Sequence, residues 1–170
     1  RREALTEVRA QLDTVSGSIL NIRVGGNDLS HAFGLRRPAN RTIYDLRPVA
    51  DILIDIVAAF GTQYVVSGPV WEYYSGEGWE EGLRREMELD LLNGFTGKTV
   101  IHPNQIPVVN EMLRVSQRDY ADARAILNWD TGSGSLVSAS EDGGRMNEYN
   151  THSRWARRIV LRAERYGVRA

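Results

Sequence analysis

Cysteine is absent from the 170 residues. That excludes thiol nucleophiles, thiolate metal sites and disulfide staples together, so the fold must rest on packing and polar contacts. Lysine is nearly absent too, with Lys98 the only one among 21 basic residues. A Schiff-base mechanism would depend on it, yet it opens a strand, at the end opposite to the usual active-site loops. Net charge is also lacking: 21 basic residues face 22 acidic ones. Such a balance provides no uniform positive field, so neither nucleic acid nor an anionic membrane is an expected partner. No apolar run reaches the roughly 18 residues of a membrane span and no secretory series opens the chain, which makes the cytoplasm the expected compartment. The histidines, His31, His102 and His152, show no zinc spacing.

With 42% hydrophobic residues the chain has the means for one ordinary core. Apolar and polar residues alternate from Ile19 to Val24 and stop at Gly25-Gly26-Asn27-Asp28, which reads as a strand ending in a turn. Residues 47–60 keep helical spacing through Val49, Ile52, Leu53, Ile56, Val57 and Phe60, with Pro48 in the first turn and Gly61 at the stop. Gln63 to Ser67 forms a second strand, followed by a loop carrying Trp71, Tyr73 and Tyr74. Trp79, Leu83, Met87 and Leu91 mark a helix over 77–93, with Glu80–Arg84 and Glu81–Arg85 as acid-first pairs and Gly94 closing it. Lys98 to Ile101 is a third strand, ended by His102-Pro103 before a helix through Ile106, Val109, Met112 and Leu113. Ser116 and Asp119 form a capping box for a helix ending near Asp130 and the flexible Thr131-Gly132-Ser133-Gly134. Leu136 to Ser138 is extended, Asp142-Gly143-Gly144 turns, and residues 152–166 form a closing helix.

Strands alternating with helices over 19–114 imply an α/β fold with parallel strands and right-handed crossovers. A complete (β/α)8 barrel takes about 250 residues, so this chain is either part of one or a smaller doubly wound sheet.

Several residues invite chemistry, each beside a plainer explanation. Asp28 lies just beyond a strand's carboxyl end, where a hard oxygen ligand would suit Mg2+, although an Asx turn or helix cap uses the same residue. Gly25 and Gly26 would let a substrate approach the backbone, or would simply make the turn. Leu20, Ile22 and Val24 share one strand face and should pack outward, sending Asn21 and Arg23 to the interior. There Arg23 would bind a substrate carboxylate, or pair with a buried acid. His102 is a substrate contact or a hydrogen-bonded turn residue.

Three segments, GGNDLSHAFGLRRP (25–38), GLRREMELDLLNGFTGKTVIHPNQI (82–106) and GGRMNEYNTH (143–152), resemble the citrate lyase β-subunit and HpcH/HpaI aldolase superfamily. Thr42-Ile43-Tyr44-Asp45 and Thr151-His152-x-x-Trp155-Ala156 look like its tellurite-resistance-associated carbon–carbon lyase branch. The resemblance implies the later half of a (β/α)8 TIM barrel with parallel strands over 1–130, and a C-terminal hairpin, lid and closing helix over 131–170. Arg1 stands where a complete chain would have methionine, and the resemblance sets the earlier strands before it.

The resemblance also implies a Mg2+-dependent carbon–carbon lyase that cleaves or forms a bond next to a 2-oxo acid through an enolate, with a coenzyme A thioester as one substrate form. Asp28 matches the family's metal Asp, while the partner Glu and the principal substrate arginine would precede Arg1. Arg23, Gly25, Gly26, Asn27, Ser67 and His102 fall to substrate binding. Met146-Asn147-Glu148 matches the lid that inserts an acid into a neighbouring subunit, with Glu for Asp and Asn150 in place of the usual proline, which makes Glu148 the catalytic acid and a homo-oligomer, trimer or larger, the expected assembly. The competing reading is a noncatalytic binding or assembly module derived from the same barrel.

Overall fold

The computed structural model describes residues 1–129 and 137–170. The expected linker Thr131 to Gly134, Asp130 and the extended Leu136 lie outside the described residues, while the helix expected to end near Asp130 ends at Leu127. The chain forms two compact units, Arg1–Met112 and Leu113–Ala170.

In the first unit α1 (Arg2–Asp13) precedes β1 (Ile22–Arg23), α2 (Gly26–Ala32), α3 (Arg47–Phe60), β2 (Val66–Ser67), α4 (Trp79–Leu92) and α5 (Gln105–Met112). Strands β1 and β2 run parallel, with Ile22 opposite Val66 and Arg23 opposite Ser67. Helix α3 is the crossover between them, its Pro48 in the first turn as expected, and it buries Val49, Leu53 and Phe60 against Val24, Ile43, Val66 and Phe95. Beyond β2 the chain pairs in parallel with a third segment through Gly68 and Lys98. Thr96 N–H donates to Val66 O, Gly68 N–H to Gly97 O and Thr99 N–H to Gly68 O.

Four expectations are corrected here. Gly25 to Asp28 does not make a turn: Gly25 caps α2, which begins at Gly26 and puts Asp28 in its first turn, where the helix dipole favours a negative charge. A helix of seven residues is too short to show a period in the sequence. The strand expected over 98–101 contracts to the Lys98 bridge, because His102-Pro103 turns the chain away at once. Leu20 does not pack outward with Ile22 and Val24; it lies one residue before the pairing begins and is 90% exposed. Lys98 stands level with Gly68, past the last residue of β2, and so on the carboxyl side of the sheet rather than opposite to it.

In α4 the four-residue spacing buries Leu83 and Met87. Arg84 pairs with Glu80 as expected and also with Glu111, whereas Arg85 donates to Asn40 O instead of meeting Glu81. Gly94, with φ of 97°, closes the helix in the left-handed region that glycine tolerates.

The second unit contains β3 (Val115–Ser116), α6 (Gln117–Leu127), β4 (Val137–Ala139), β5 (Met146–Glu148), α7 (Tyr149–Tyr166) and β6 (Val168–Arg169). Ser116 Oγ accepts from Asp119 N–H as the capping motif requires, but the Asp119 carboxylate goes to Arg145. Helices α6 and α7 bury Ala123, Ile126, Ala156, Ile159 and Ala163 with Val115. The antiparallel pair β4–β5 turns at Asp142-Gly143-Gly144 as expected. Two features were not legible: β3 pairs in parallel with β6, and α7 starts three residues before the expected 152.

Candidate active site

The carboxyl ends of β1 and β2 bring four polar groups of the sequence reading together. Arg23 and Ser67 are register partners, and the segment Gly25-Gly26-Asn27-Asp28 leaves directly from β1. Arg23 is exposed and has no ion pair among the described residues. Ser67 is buried and accepts a 3.2 Å hydrogen bond from Asn21 Nδ2. Asn21 thus joins Arg23 on one strand face, the alternation anticipated for β1, and is a polar contributor that sequence reasoning did not single out as a site residue. Asp28 is exposed, with its carboxylate folded over Gly25. Gly26 is buried under Ile43 and Pro69, so its missing side chain is a packing requirement.

Behind this face lies a closed ionic network that the sequence reading missed. Lys98 Nζ donates to Glu86 Oε1 at 2.8 Å and to Asp90 Oδ2 at 2.7 Å, and the three side chains are at most 1% exposed. Glu86 Oε2 accepts from Ile43 N–H and lies 2.8 Å from Arg37 Nε, while Arg37 Nη2 donates to Glu86 Oε1 at 3.1 Å. Arg37 also donates to Val70 O and, at 3.5 Å, to Asn27 Oδ1, while its guanidinium stacks 5.1 Å from the Trp71 ring. Tyr44 OH donates to Asp90 Oδ1 at 2.7 Å. Burial pushes the Asp90 carboxyl up from its ordinary range while Lys98 pulls it down; burial, with the adjacent Asp90 charge, keeps Tyr44 protonated. Two positive and two negative groups cancel, so the cluster can stay ionised in a dry interior. Its available signal was the four-residue spacing of Glu86 and Asp90 on the core-facing side of α4 and the solitary Lys98.

The network also accounts for the Thr42-Ile43-Tyr44-Asp45 motif: Thr42 and Asp45 cap the turn reciprocally, Ile43 N–H reaches Glu86 and Tyr44 reaches Asp90. Trp71 is fully buried, its indole N–H donating to Trp79 O, so packing is its role.

His102 follows the third parallel segment. Its Nδ1 accepts from Asn104 N–H at 3.1 Å and its ring stacks on Tyr74 at 4.3 Å and 11°. Buried Gln105 holds the same region, donating to Trp71 O and Tyr73 O and accepting from Ile101 N–H. Beyond the carboxyl ends of successive parallel segments the chain therefore presents Asp28, the Ser67-Gly68 pair and His102. In the second unit Glu148 ends β5 and precedes α7; its N–H donates to His152 Nδ1 and its Oε2 accepts from Thr151 Oγ1.

Residues 1–168 match the family of C-C bond lyases of the TIM-barrel fold. This chain belongs to that family. An L-malyl-CoA/beta-methylmalyl-CoA lyase of Cereibacter sphaeroides is 38% identical over 74 residues, which are 42% of this chain and 22% of that protein. The same enzyme from another strain of that species is 36% identical over the same length. Among solved structures, CitE from Mycobacterium tuberculosis, in complex with magnesium, acetoacetate and coenzyme A, superposes with a TM-score of 0.62 at 26% identity, covering 85% of this chain and 52% of that one. The chain thus spans about half the length of the CitE structure.

Asp28 offers a hard, exposed carboxylate oxygen with no ion pair among the described residues, the donor chemistry that magnesium takes. No group of three His, Cys, Asp or Glu side chains able to hold a metal occurs among the described residues. Asp28 by itself therefore does not make a metal site. No helix among the described residues is long and apolar enough to cross a membrane.

Proposed function

We propose that this chain carries the carboxyl-side part of the active site of a carbon–carbon lyase acting on a 2-oxo acid and an acyl thioester. The observation that carries the reading is the pairing of Arg23 with Ser67 at the carboxyl ends of β1 and β2, with Asp28 in the first turn of the helix that follows β1. Active-site loops of a parallel barrel gather at that end.

In this reading Arg23 binds the carboxylate of the substrate through its unpaired guanidinium, whose planar donor fork suits two oxygens at once. Ser67, fixed by Asn21, donates a hydrogen bond next to it. Gly25 leaves room for the Asp28 carboxylate, the donor this chain offers to a divalent cation. When bound, magnesium polarises the oxo group and stabilises the negative charge that develops on cleavage. In cleavage the substrate hydroxyl gives up its proton to water and its oxygen becomes the oxo group as the bond to the carbon beside the thioester breaks; the electron pair of that bond stays on the carbon, and a proton delivered by Glu148 completes the product. His102 and the Tyr74 ring flank the route for the acyl portion. Coenzyme A in the CitE structure and in the names of the malyl-CoA lyases supports a thioester substrate. The expected assembly is a homo-oligomer in which Glu148 serves a neighbouring subunit, and the expected compartment is the cytoplasm.

The test is cleavage of L-malyl-CoA by the full-length protein, followed as glyoxylate release, alongside Arg23→Gln. Turnover with a KM raised about tenfold or more in the variant supports the reading, since a charge-assisted pair is worth about 1.5–3 kcal/mol. No carbon–carbon cleavage of this thioester or of citramalyl and citryl analogues would favour a noncatalytic module instead.

A further inference from the structure

The hairpin and the helix that follows it interlock through two short stretches, residues 145–148 and 151–156. Arg145 pairs with Asp119 at 2.8 Å and with Asp122, both on α6, and its guanidinium lies 5.3 Å from the Trp155 ring on α7. Asn147, nearly fully buried, donates to Asp122 Oδ1 at 3.1 Å. Ala156, fully buried, sits in the α6–α7 core. Within 145–148 the side chains of Arg145 and Asn147 engage α6, Met146 is exposed, and Glu148 ends the strand only partly covered.

Two of the remaining motif residues hold Glu148, His152 at its backbone N–H and Thr151 at its carboxylate. His152 Nδ1 accepts the Glu148 N–H at 2.9 Å, and Thr151 Oγ1 donates to Glu148 Oε2 at 3.2 Å. The first bond satisfies a backbone donor at the start of α7 that has no partner within the helix, and fixes the entry angle of the chain. The second restricts the Glu148 side chain, whose extra methylene relative to aspartate gives it one more rotatable bond to lose.

We infer that His152 and Thr151 are positioning residues that hold the Glu148 carboxylate in the direction it needs for proton delivery. The inference rests on Glu148 being the acid of the reaction, as proposed above. Neither residue touches the reacting atoms; both act through Glu148. Displacing a catalytic group by about 1 Å can cost about a hundredfold in rate, while substrate affinity is set elsewhere.

The experiment compares His152→Leu, His152→Gln, Thr151→Val, Thr151→Ser and Glu148→Gln in the full-length protein, with L-malyl-CoA as probe and hydrogen exchange of the Glu148 amide as a second readout. His152→Leu is expected to lower kcat about tenfold or more with KM changed less than about threefold, and to speed exchange of the Glu148 amide. His152→Gln, whose Oε1 can accept the same N–H, is expected to restore most of both. Thr151→Val is expected to lower kcat several-fold and Thr151→Ser to restore it, which keeps the test open if His152→Leu fails to fold. Faster amide exchange in His152→Leu with unchanged kcat would make the bond purely structural and overturn the inference while leaving Glu148 as the acid. Unchanged kcat in Glu148→Gln, or no turnover by the unaltered protein, would instead remove the acid assignment or the lyase reading, and this inference with it.

Discussion

Asp28 folds its carboxylate over the bare Cα of Gly25, so that a Cβ at residue 25 would stand 2.5 Å from Oδ2. Because the obstructing atom is the tip of a flexible side chain and Gly25 has a φ of −77°, alanine fits the backbone and it is the carboxylate that must move. Gly25→Ala is expected to unfold within a few degrees of the unaltered protein while losing about ten- to a hundredfold in turnover, as measured by thermal melting and steady-state kinetics. A large loss of stability with activity per folded molecule intact would show that the Asp28 position matters little.

The Lys98 ammonium is held by Glu86 and Asp90 with no water access, so cutting one partner strands another charge. Glu86→Ala is expected to cost about 3–5 kcal/mol in urea unfolding, the range for a broken buried pair. Lys98→Met with Asp90→Leu removes one charge of each sign and should cost clearly less than Glu86→Ala. Equal losses would mean that packing volume dominates over charge at this cluster.

Asp45 is held below the usual carboxylate range first by the Thr42 backbone N–H, with a further bond from the Thr42 hydroxyl. A depressed folded-state value means that ionised Asp45 stabilises the protein at pH above its unfolded value of 3.8, and that this contribution fades as pH falls through the lower folded value. Thr42→Ala is expected to cost about 1 kcal/mol at neutral pH. Asp45→Asn should be less stable than the unaltered protein at pH 7 and approach it as pH falls through the lowered folded value, where both side chains become uncharged. A difference independent of pH would show that the carboxylate charge plays no part in the cap.

Gly82 on α4 faces Trp71 and the Ala39 carbonyl, which an added Cβ would meet at 2.3 and 2.4 Å. One obstacle is backbone and the other a buried indole, so neither yields cheaply. Gly82→Ala is expected to destabilise by about 1–3 kcal/mol despite alanine's better helix propensity, measured by chemical denaturation. A gain in stability would refute the tight contact of α4 with the 39–71 region.

Helices α3 and α4 were legible because fourteen residues each allow the apolar period to repeat, with Pro48 and Gly94 marking their ends. Helix α2 was hidden by its length, and the parallel pair β3–β6 by having only two residues in each strand. At the site, strand alternation put Arg23 on the polar face and the resemblance singled out Asp28. The ionic cluster was missed for another reason: Glu86 and Asp90 share α4, but Arg37 and Lys98 come from other stretches of chain, and their pairing is created by the fold. Glu86 and Asp90 look like surface charges on a helix until the buried Lys98 is found between them.

The central claim is that Asp28 belongs to the reacting site of a carbon–carbon lyase, and Asp28→Asn tests it most directly. Asparagine keeps the size of aspartate in the first turn of α2 while removing the charge a cation needs. L-malyl-CoA cleavage by the full-length protein should fall by about a thousandfold, equivalent to roughly 4 kcal/mol of transition-state stabilisation, with the melting temperature nearly unchanged. Cleavage by Asp28→Asn at the rate of the unaltered protein would contradict the account.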